Sequence, residues 1–268
     1  MLSAPAFRTI IYDYYVQNKR SFAWRDVGDP YYVVVSEIML QQTQTFRVEE
    51  KFEQFVKTLP TFEALAQVPF VVVLSLWKGL GYNRRALYLQ QIAQKIVGNY
   101  GGLVPIDPTI LQEFPGIGSA TARSIVTFAF DKPEVFIETN IRAVFLHHFF
   151  PELQKVDDKK LLPLVQKTLD KQNPRQWYYA LMDYGVMLKK QHQNPARRSK
   201  HYMTQSRFEG SGRQIRGKIL EFLLKYGALS GDDLCGFIKC DYDRLSKIAQ
   251  QLVAEKMIIS MRDKFFIA

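Results

Sequence analysis

The stretch Leu111-Gln112-Glu113-Phe114-Pro115-Gly116-Ile117-Gly118-Ser119-Ala120-Thr121-Ala122-Arg123-Ser124-Ile125 reads as helix, tight glycine turn, helix. Asp107 ahead of Pro108 supplies an N-cap followed by a proline at the first helical position, where the missing N–H costs nothing. Pro115, Gly116 and Gly118 then end that helix. Glycine permits a positive φ and leaves no side chain between the peptide N–H groups and an approaching ligand. Ser119 is placed to cap the next helix, expected over residues 120–130. The N–H groups of such a turn form a nest suited to an anion such as a nucleic-acid phosphate. The alternative is an αα-hairpin whose glycines only let two helices pack closely.

The chain has 268 residues, 47% of them hydrophobic and 13% aromatic, enough for a packed core in one large domain or two. A formal charge of +10 favours a polyanionic partner and is consistent with the anion nest. The two cysteines, Cys235 and Cys240, are too few for a disulfide framework and too isolated for a zinc or iron–sulfur site, and read as ordinary core thiols. The start of the chain lacks the pattern of a signal peptide, and no long apolar span occurs. A soluble protein of the cytoplasm, associated with the nucleoid and without a membrane partner, is expected.

Outward from the hairpin, apolar spacing predicts a first helix over residues 7–18, a helix over 32–45, and helices over 46–58, 62–66, 71–77 and 84–97 that together build a helical barrel. The helix over 32–45 carries Glu37 as its only acid on a largely apolar surface. Such an acid is either a solvated residue or a functional one. Trp77-Lys78-Gly79-Leu80-Gly81-Tyr82-Asn83-Arg84-Arg85 is either a loop with a buried tyrosine and solvated basic residues, or a backbone clamp with a stacking wedge. After the hairpin, residues 135–137 form a short extended crossing that delivers Glu138 to a helix over 140–150, and helices over 161–170 and 176–189 complete the body. Residues 191–212 are basic and glycine-punctuated, either a linker or an arm that orders on DNA. Beyond them, helices over 213–225, 230–238 and 242–255 and a hairpin within 257–267 around Arg262-Asp263-Lys264 look like a winged helix, a domain type that binds DNA or partner proteins.

The ordered series Trp24-Arg25 with Asp29-Pro30-Tyr31, Ser36-Glu37-Ile38-Met39-Leu40-Gln41-Gln42-Thr43, Gly79-Leu80-Gly81-Tyr82, the hairpin, Ile137-Glu138-Thr139-Asn140 and Ala180-Leu181-Met182-Asp183-Tyr184-Gly185 resembles the MutY-type adenine DNA glycosylases of the helix-hairpin-helix base-excision superfamily. The resemblance spans roughly residues 8–190. It implies an all-α, two-lobed helix-hairpin-helix DNA glycosylase fold over 1–190, with a six-helix barrel lobe at about 21–133 and a second lobe from 1–20 plus 134–190. The basic linker or arm of 191–212 and the small winged-helix-like (α+β) domain of 213–268 follow.

In that family the glutamate matching Glu37 protonates the adenine ring, the glutamine matching Gln42 fills the gap left by the flipped base, and the tyrosine matching Tyr82 wedges beside the opposing base. Those roles suit the chemistry, since a base leaves readily only when protonated while positive charge grows on the sugar. Glu138 would stabilise that sugar cation or bond to it briefly, as in retaining glycosidases, with Asn140 orienting it or the incoming water. Trp24, Arg25, Gln41, Gln42, Thr43, Tyr82, Arg84, Gly116, Gly118, Ser119, Ala120 and Thr121 are the expected DNA contacts. The implied partner is double-stranded DNA carrying a mispaired or damaged base, bound by a monomer.

Four departures shape the expectation. Glu138 stands where the family has aspartate, so the extra methylene either moves the carboxylate toward the sugar or demands a displaced backbone. Ala120 stands where bifunctional relatives carry the Schiff-base lysine, which implies a monofunctional enzyme without β-lyase activity. Leu188-Lys189-Lys190-Gln191-His192 stands where many relatives begin a four-cysteine loop, so no iron–sulfur cluster is expected, and the basic arm is the candidate for its DNA-positioning role. No metal site is expected either, although the hairpin turn leaves room for a monovalent or divalent cation. The winged helix also replaces the family's 8-oxoguanine-reading domain. A thymine or uracil mismatch glycosylase of the same fold, and a non-catalytic binder of distorted DNA, are the competing readings.

Overall fold

The computed structural model describes residues 2–25 and 27–268; Met1 and Asp26, inside the expected glycosylase range, lie outside them. Helices α1 (Ala4–Asn18), α2 (Pro30–Leu40), α3 (Thr45–Thr58), α4 (Phe62–Gln67), α5 (Phe70–Leu76), α6 (Arg84–Tyr100) and α7 (Pro108–Leu111) lead up to the hairpin turn. Helices α8 (Ser119–Phe130), α9 (Thr139–Phe149), α10 (Asp158–Thr168), α11 (Pro174–Gln191), α12 (Gly212–Tyr226), α13 (Gly231–Ile238) and α14 (Tyr242–Ala254) follow, with strands β1 (Leu229–Ser230), β2 (Ile258–Met261) and β3 (Lys264–Ile267). Contacts group the chain into two compact units, Met1–Glu37 with Pro105–Thr204, and Ile38–Val104 with Gln205–Ala268. This grouping differs from the lobes expected from the sequence. The hairpin joins the unit of the chain start, and residues 213–268 join that of the barrel helices.

The first unit is held by an aromatic-rich core. Phe7 and Ile11 of α1, Phe145 of α9 and Trp177 of α11 are all fully buried, and the Phe7 ring meets Phe145 at 5.3 Å and Trp177 edge-on at 5.9 Å. Such pairs add roughly 0.5–1.5 kcal/mol each beyond their area burial. Asn194–Lys200, part of the expected linker, is docked here. Pro195–Arg198 forms a 3-10 turn with Pro195 and Ala196 buried, and the Arg198 guanidinium donates to the carbonyls of Leu146 and Pro151 at 2.8 Å each. Val156 and Ser199 form a parallel bridge. The basic character of this stretch is therefore partly spent on capping backbone carbonyls, which composition alone does not reveal.

In the second unit, α3 buries Val48, Phe52, Phe55 and Val56, a helical stripe, and α6 buries Leu89, Ile92, Ala93 and Ile96 and ends at Gly101 with φ 59°. The C-terminal part has three helices, α12, α13 and α14, and then the β2–β3 ribbon, a winged-helix-like arrangement, and it adds a short strand β1 that the sequence does not predict, giving the sheet order β1-β3-β2. Arg262 and Asp263 both take positive φ, 50° and 58°, between the paired residues Met261 and Lys264. That is the backbone a two-residue hairpin needs to match strand twist. Ser230 and Asp233 close a reciprocal capping box at the start of α13.

Two elements end earlier than their sequence predicts, and one of them is the first helix of the hairpin, expected to run up to Pro115, which stops at Leu111. The helix expected to reach residue 45 stops at Leu40, and residues 41–44 form a turn with Gln42 at φ 53°.

Candidate active site

Glu37 lies one turn from the end of α2, a helix whose residues Tyr31, Val33, Val34, Val35, Ser36, Ile38 and Met39 are buried. Apolar surroundings disfavour a charged carboxylate. Burial raises the Glu37 carboxyl from its ordinary 4.5 to about 7, the Ser124 hydrogen bond opposes the rise, and the charge of Glu138 adds to it. Ser124 of α8 hydrogen-bonds Glu37 Oε2 and also lies 3.0 Å from the Thr121 carbonyl. A hydroxyl has one proton, so Ser124 serves both states of the acid. It donates to Glu37 when the carboxylate is charged, and it accepts from a protonated Glu37 while donating to Thr121.

Glu138 is the N-cap of α9, reached through residues 131–138, which have no regular structure. Its Oε1 accepts from the backbone N–H groups of Asn140 (2.7 Å) and Ile141 (2.8 Å), and its Oε2 accepts from Asn140 Nδ2 at 3.2 Å. The extra methylene over aspartate thus folds the carboxylate back onto its own helix, whose N-terminal N–H groups complement its negative charge. Asn140 is held from its other side, because Lys189 Nζ of α11 donates to Asn140 Oδ1 at 2.8 Å. Gly185, one turn earlier on α11, leaves room for the Asn140 backbone; a Cβ there would fall 2.6 Å from the Asn140 carbonyl oxygen.

The hairpin follows its punctuation with two corrections. Asp107 caps α7 by accepting from the Thr109 N–H at 2.7 Å, Pro108 is the first helical residue, and Gly116 takes φ 74°. Gly118, however, is at φ −88°, and it rather than Ser119 is the N-cap of α8. Ser119 is the first helical residue, and no side chain caps the helix. Gly118 matters for its lack of a side chain: its peptide can be approached from outside, since nothing lies within 4 Å of where a Cβ would stand. Ala120 is exposed and Thr121 half-buried on the first turn of α8.

Two expected DNA contacts of this unit are structural instead. Trp24 is 6% exposed and stacks on Phe22 with ring centroids 4.8 Å apart. Arg25, also 6% exposed, forms a bidentate pair with buried Asp183 at 3.0 and 2.9 Å and stacks over the Tyr179 ring at 4.4 Å. A guanidinium so enclosed has no face left for a phosphate. The tetrad Met182-Asp183-Tyr184-Gly185 therefore contributes an anchor for Arg25 and the space for Asn140.

In the second unit, the turn of residues 41–44 and the loop of residues 79–83 are joined by Arg85, which is buried at 7% exposure and is neither a solvated basic residue nor a free phosphate clamp. The Arg85 guanidinium donates to the carbonyls of Ile38 and Met39 (2.8 Å each), Gln41 and Gly81 (3.1 Å), and to Thr43 Oγ1 (2.8 Å). Trp77 backs it at 5.3 Å and donates its own indole N–H to the Gly81 carbonyl at 3.1 Å. Burial pulls the guanidinium down to about 10, so it stays charged at neutral pH. On this frame Gln42 is exposed and Tyr82 half-buried, both with left-handed backbones at φ 53° and 48°. Strained residues of this kind collect at functional sites. Gln41 and Thr43 are half-buried and contribute to the frame.

Arg84, expected on DNA, pairs with Glu255, which also pairs with Arg216. The Tyr82 hydroxyl meets Gln205 and lies 3.1 Å from an Arg213 nitrogen. These residues border a groove of about 1440 Å³ whose lining includes Arg47, Lys78, Arg84, Arg85, Arg213 and Arg216. No group of three or more His, Cys, Asp or Glu among the described residues is arranged to hold a metal ion. No described helix is long and apolar enough to cross a membrane.

A helix-hairpin-helix body with a protonatable glutamate near a second, helix-capping carboxylate defines a class of base-excision proteins. The chain belongs to the HhH-GPD superfamily of base excision DNA repair proteins, whose pattern it matches over residues 35–169, just over half its length. Its relatives include the adenine DNA glycosylases of Buchnera aphidicola (29% identical, 70% of this chain, 54% of that protein) and Mycobacterium tuberculosis (39%, 49% and 43%). The thymine/uracil-DNA glycosylase of Methanothermobacter thermautotrophicus is 25% identical over 68% of this chain and 84% of that protein. The chain thus spans about half the length of the adenine glycosylases it matches. Among solved structures, a thermostable thymine-DNA glycosylase shares the fold (TM-score 0.61, 24% identity, 69% of this chain, 86% of that chain), as does an endonuclease III bound to DNA (TM-score 0.58, 18%, 69% and 86%).

Proposed function

We propose that the protein is a monofunctional DNA glycosylase that hydrolyses the N-glycosidic bond of a flipped adenine mispaired in double-stranded DNA, acting as a monomer. The observation that carries this reading is Glu37, poised near pH 7 against Ser124 and under the influence of the Glu138 charge. Protonated Glu37 gives its proton to the adenine ring, and the electron pair of the glycosidic bond leaves with the base. Positive charge left on the sugar faces the Glu138 carboxylate, held by two backbone N–H groups and Asn140, until water adds to the sugar carbon and loses a proton. Gln42 and Tyr82 enter the duplex to hold the base out, and the uncapped N-terminus of α8 receives a phosphate.

An iron–sulfur cluster does not fit these residues. Residues 188–192 offer no thiolate, α11 runs unbroken through Gln191, and the only cysteines are Cys235 in α13 and Cys240 just beyond it. No step of the reaction is assigned to such a group.

A second reading, removal of thymine or uracil from mispairs, is favoured by the relative from Methanothermobacter, most of whose length the chain covers. The deciding experiment incubates the protein with duplexes carrying single defined mispairs and reveals abasic sites with alkali. Cleavage only at adenine supports the first reading and cleavage at thymine or uracil the second. No cleavage of any mispair or damaged base leaves a non-catalytic binder.

A further inference from the structure

We infer that Lys189 is a positioning residue for the sugar-side carboxylate, acting through Asn140. The geometry of α11 brings two of its residues to Asn140. Gly185 and Lys189 are one turn apart and share a face, and both meet Asn140: Gly185 by having no Cβ, Lys189 by the 2.8 Å bond from Nζ to Asn140 Oδ1. An ammonium only donates, so it fixes which end of the Asn140 amide is oxygen. The Nδ2 end is then forced toward Glu138, where it donates to Oε2 at 3.2 Å. Glu138 Oε1 is already held by two backbone N–H groups, so the Asn140 amide is what sets Oε2, the oxygen without a backbone partner among those bonds. Lys189, Asn140 and Glu138 therefore form one directed chain of hydrogen bonds.

The charge of Lys189 also matters. Burial lowers its basicity while the neighbouring Glu138 carboxylate supports the charged form and Arg142 opposes it. Arg142 is occupied elsewhere, its guanidinium bonded to both oxygens of Asp158 at 2.9 and 2.6 Å. Lys189 is thus the cation left to serve Asn140. It stands in the stretch Leu188-Lys189-Lys190-Gln191-His192, where relatives begin a cysteine loop, so this chain uses the end of α11 for a different purpose.

The inference rests on the glycosylase reading for its kinetic consequence but not for its structural one. The test compares Lys189→Met, Lys189→Arg and Glu138→Gln with the wild type in single-turnover excision, duplex affinity and the side-chain amide resonances of Asn140. Lys189→Met is expected to lower the excision rate about tenfold to a hundredfold, the scale of a misplaced catalytic group, with duplex affinity within about twofold. Lys189→Arg is expected to restore most of the rate, and Lys189→Met is expected to add no further loss in the Glu138→Gln background. In the protein alone, Lys189→Met should shift the Asn140 amide resonances and speed their exchange with water, whether or not any base is excised. Unchanged Asn140 resonances overturn the inference. So does wild-type excision by Lys189→Met, or a loss confined to affinity, which would make Lys189 a phosphate contact. A protein that excises nothing yet shows the Asn140 shift would sink the glycosylase reading and leave the positioning role standing.

Discussion

Arg85 binds Thr43, its guanidinium 2.8 Å from the threonine hydroxyl, and with the same fork it reaches the Gly81 carbonyl at 3.1 Å. The turn that carries Gln42 and the loop that carries Tyr82 are therefore pinned to one planar cation. Arg85→Met removes this donor from five carbonyls, Leu80 at 3.4 Å among them, and from a hydroxyl; Trp77 still serves Gly81, and each acceptor left buried and unsatisfied costs about 1–3 kcal/mol. A total loss above roughly 3 kcal/mol is expected, together with faster amide exchange over residues 41–44 and 79–83. Arg85→Lys keeps the charge but lacks the fork, so it should recover only part of the loss. Denaturant titrations in which Arg85→Met matches wild type would refute the pinning role.

Arg25 and Asp183 make a second test of burial against contact. Removing one partner of a buried pair typically costs about 3–5 kcal/mol. Arg25→Met is expected near the lower end, since Arg20 still reaches Asp183 at 2.7 Å. Duplex affinity of the folded variant, measured at a temperature where it remains native, should match wild type. A specific loss of affinity without a loss of stability would restore Arg25 to the DNA interface.

For Glu37, excision is expected to be flat below the acid's value of about 7 and to fall roughly tenfold per pH unit above it. Glu37→Gln should lower the rate about a hundredfold to ten-thousandfold with binding retained. The same acid makes folding pH-dependent. Its folded value lies above the ordinary 4.5, so the native state binds more protons and stability is lost as pH rises from about 4.5 to about 7. Glu37→Gln removes that loss and should be more stable than wild type at pH 8, by at most roughly 3–4 kcal/mol. A less stable variant at that pH would count against the desolvation argument.

Glu138 offers a split between charge and length. Glu138→Gln loses the negative charge and should suppress excision as strongly as Glu37→Gln does. Glu138→Asp keeps the charge and is itself a favoured N-cap, so α9 should stay capped and excision should fall by no more than about tenfold. Wild-type single-turnover rates in Glu138→Gln would remove this carboxylate from the mechanism.

Ala120 is exposed on the first turn of α8, where bifunctional relatives of the family present an amine. Ala120→Lys is expected to nick the strand after excision through a Schiff base with the sugar aldehyde. Borohydride should then trap a covalent protein–DNA complex. Absence of any trapped species in an active variant would show that residue 120 does not reach the sugar.

What the sequence disclosed was mostly local. The Asp107-Pro108 start, the Gly116 turn, the helical stripes of α3 and α6 and the Arg262-Asp263 hairpin each follow from residues within a few positions of one another. The two carboxylates, Glu37 and Glu138, were found by motif order. Most of the readings that changed depend on partners far along the chain. Residues 41–44 have the composition of a helix, but Arg85 collects the carbonyls of Ile38, Met39 and Gln41 from more than forty positions away, and that competes with another helical turn. Trp24 and Arg25 are spoken for by Phe22, Tyr179 and Asp183. Lys189 enters the sequence only as part of the stretch where relatives begin a cysteine loop, and the packing of α11 on α9 is what gives its amine a destination. Arg198 is hidden from composition for the same reason.

Gly185 bears on how this protein can be engineered. Glycine inside a helix is disfavoured by about 1 kcal/mol relative to alanine, so replacing such residues with alanine is a routine route to a hardier enzyme. At this position the routine would misfire, because the first added carbon would land 2.6 Å from the Asn140 oxygen and push α9, with Glu138 at its tip, away from α11. A library selected for heat resistance alone would then enrich proteins whose helices are sound and whose chemistry is displaced. Residue 185 should be held fixed in any such screen.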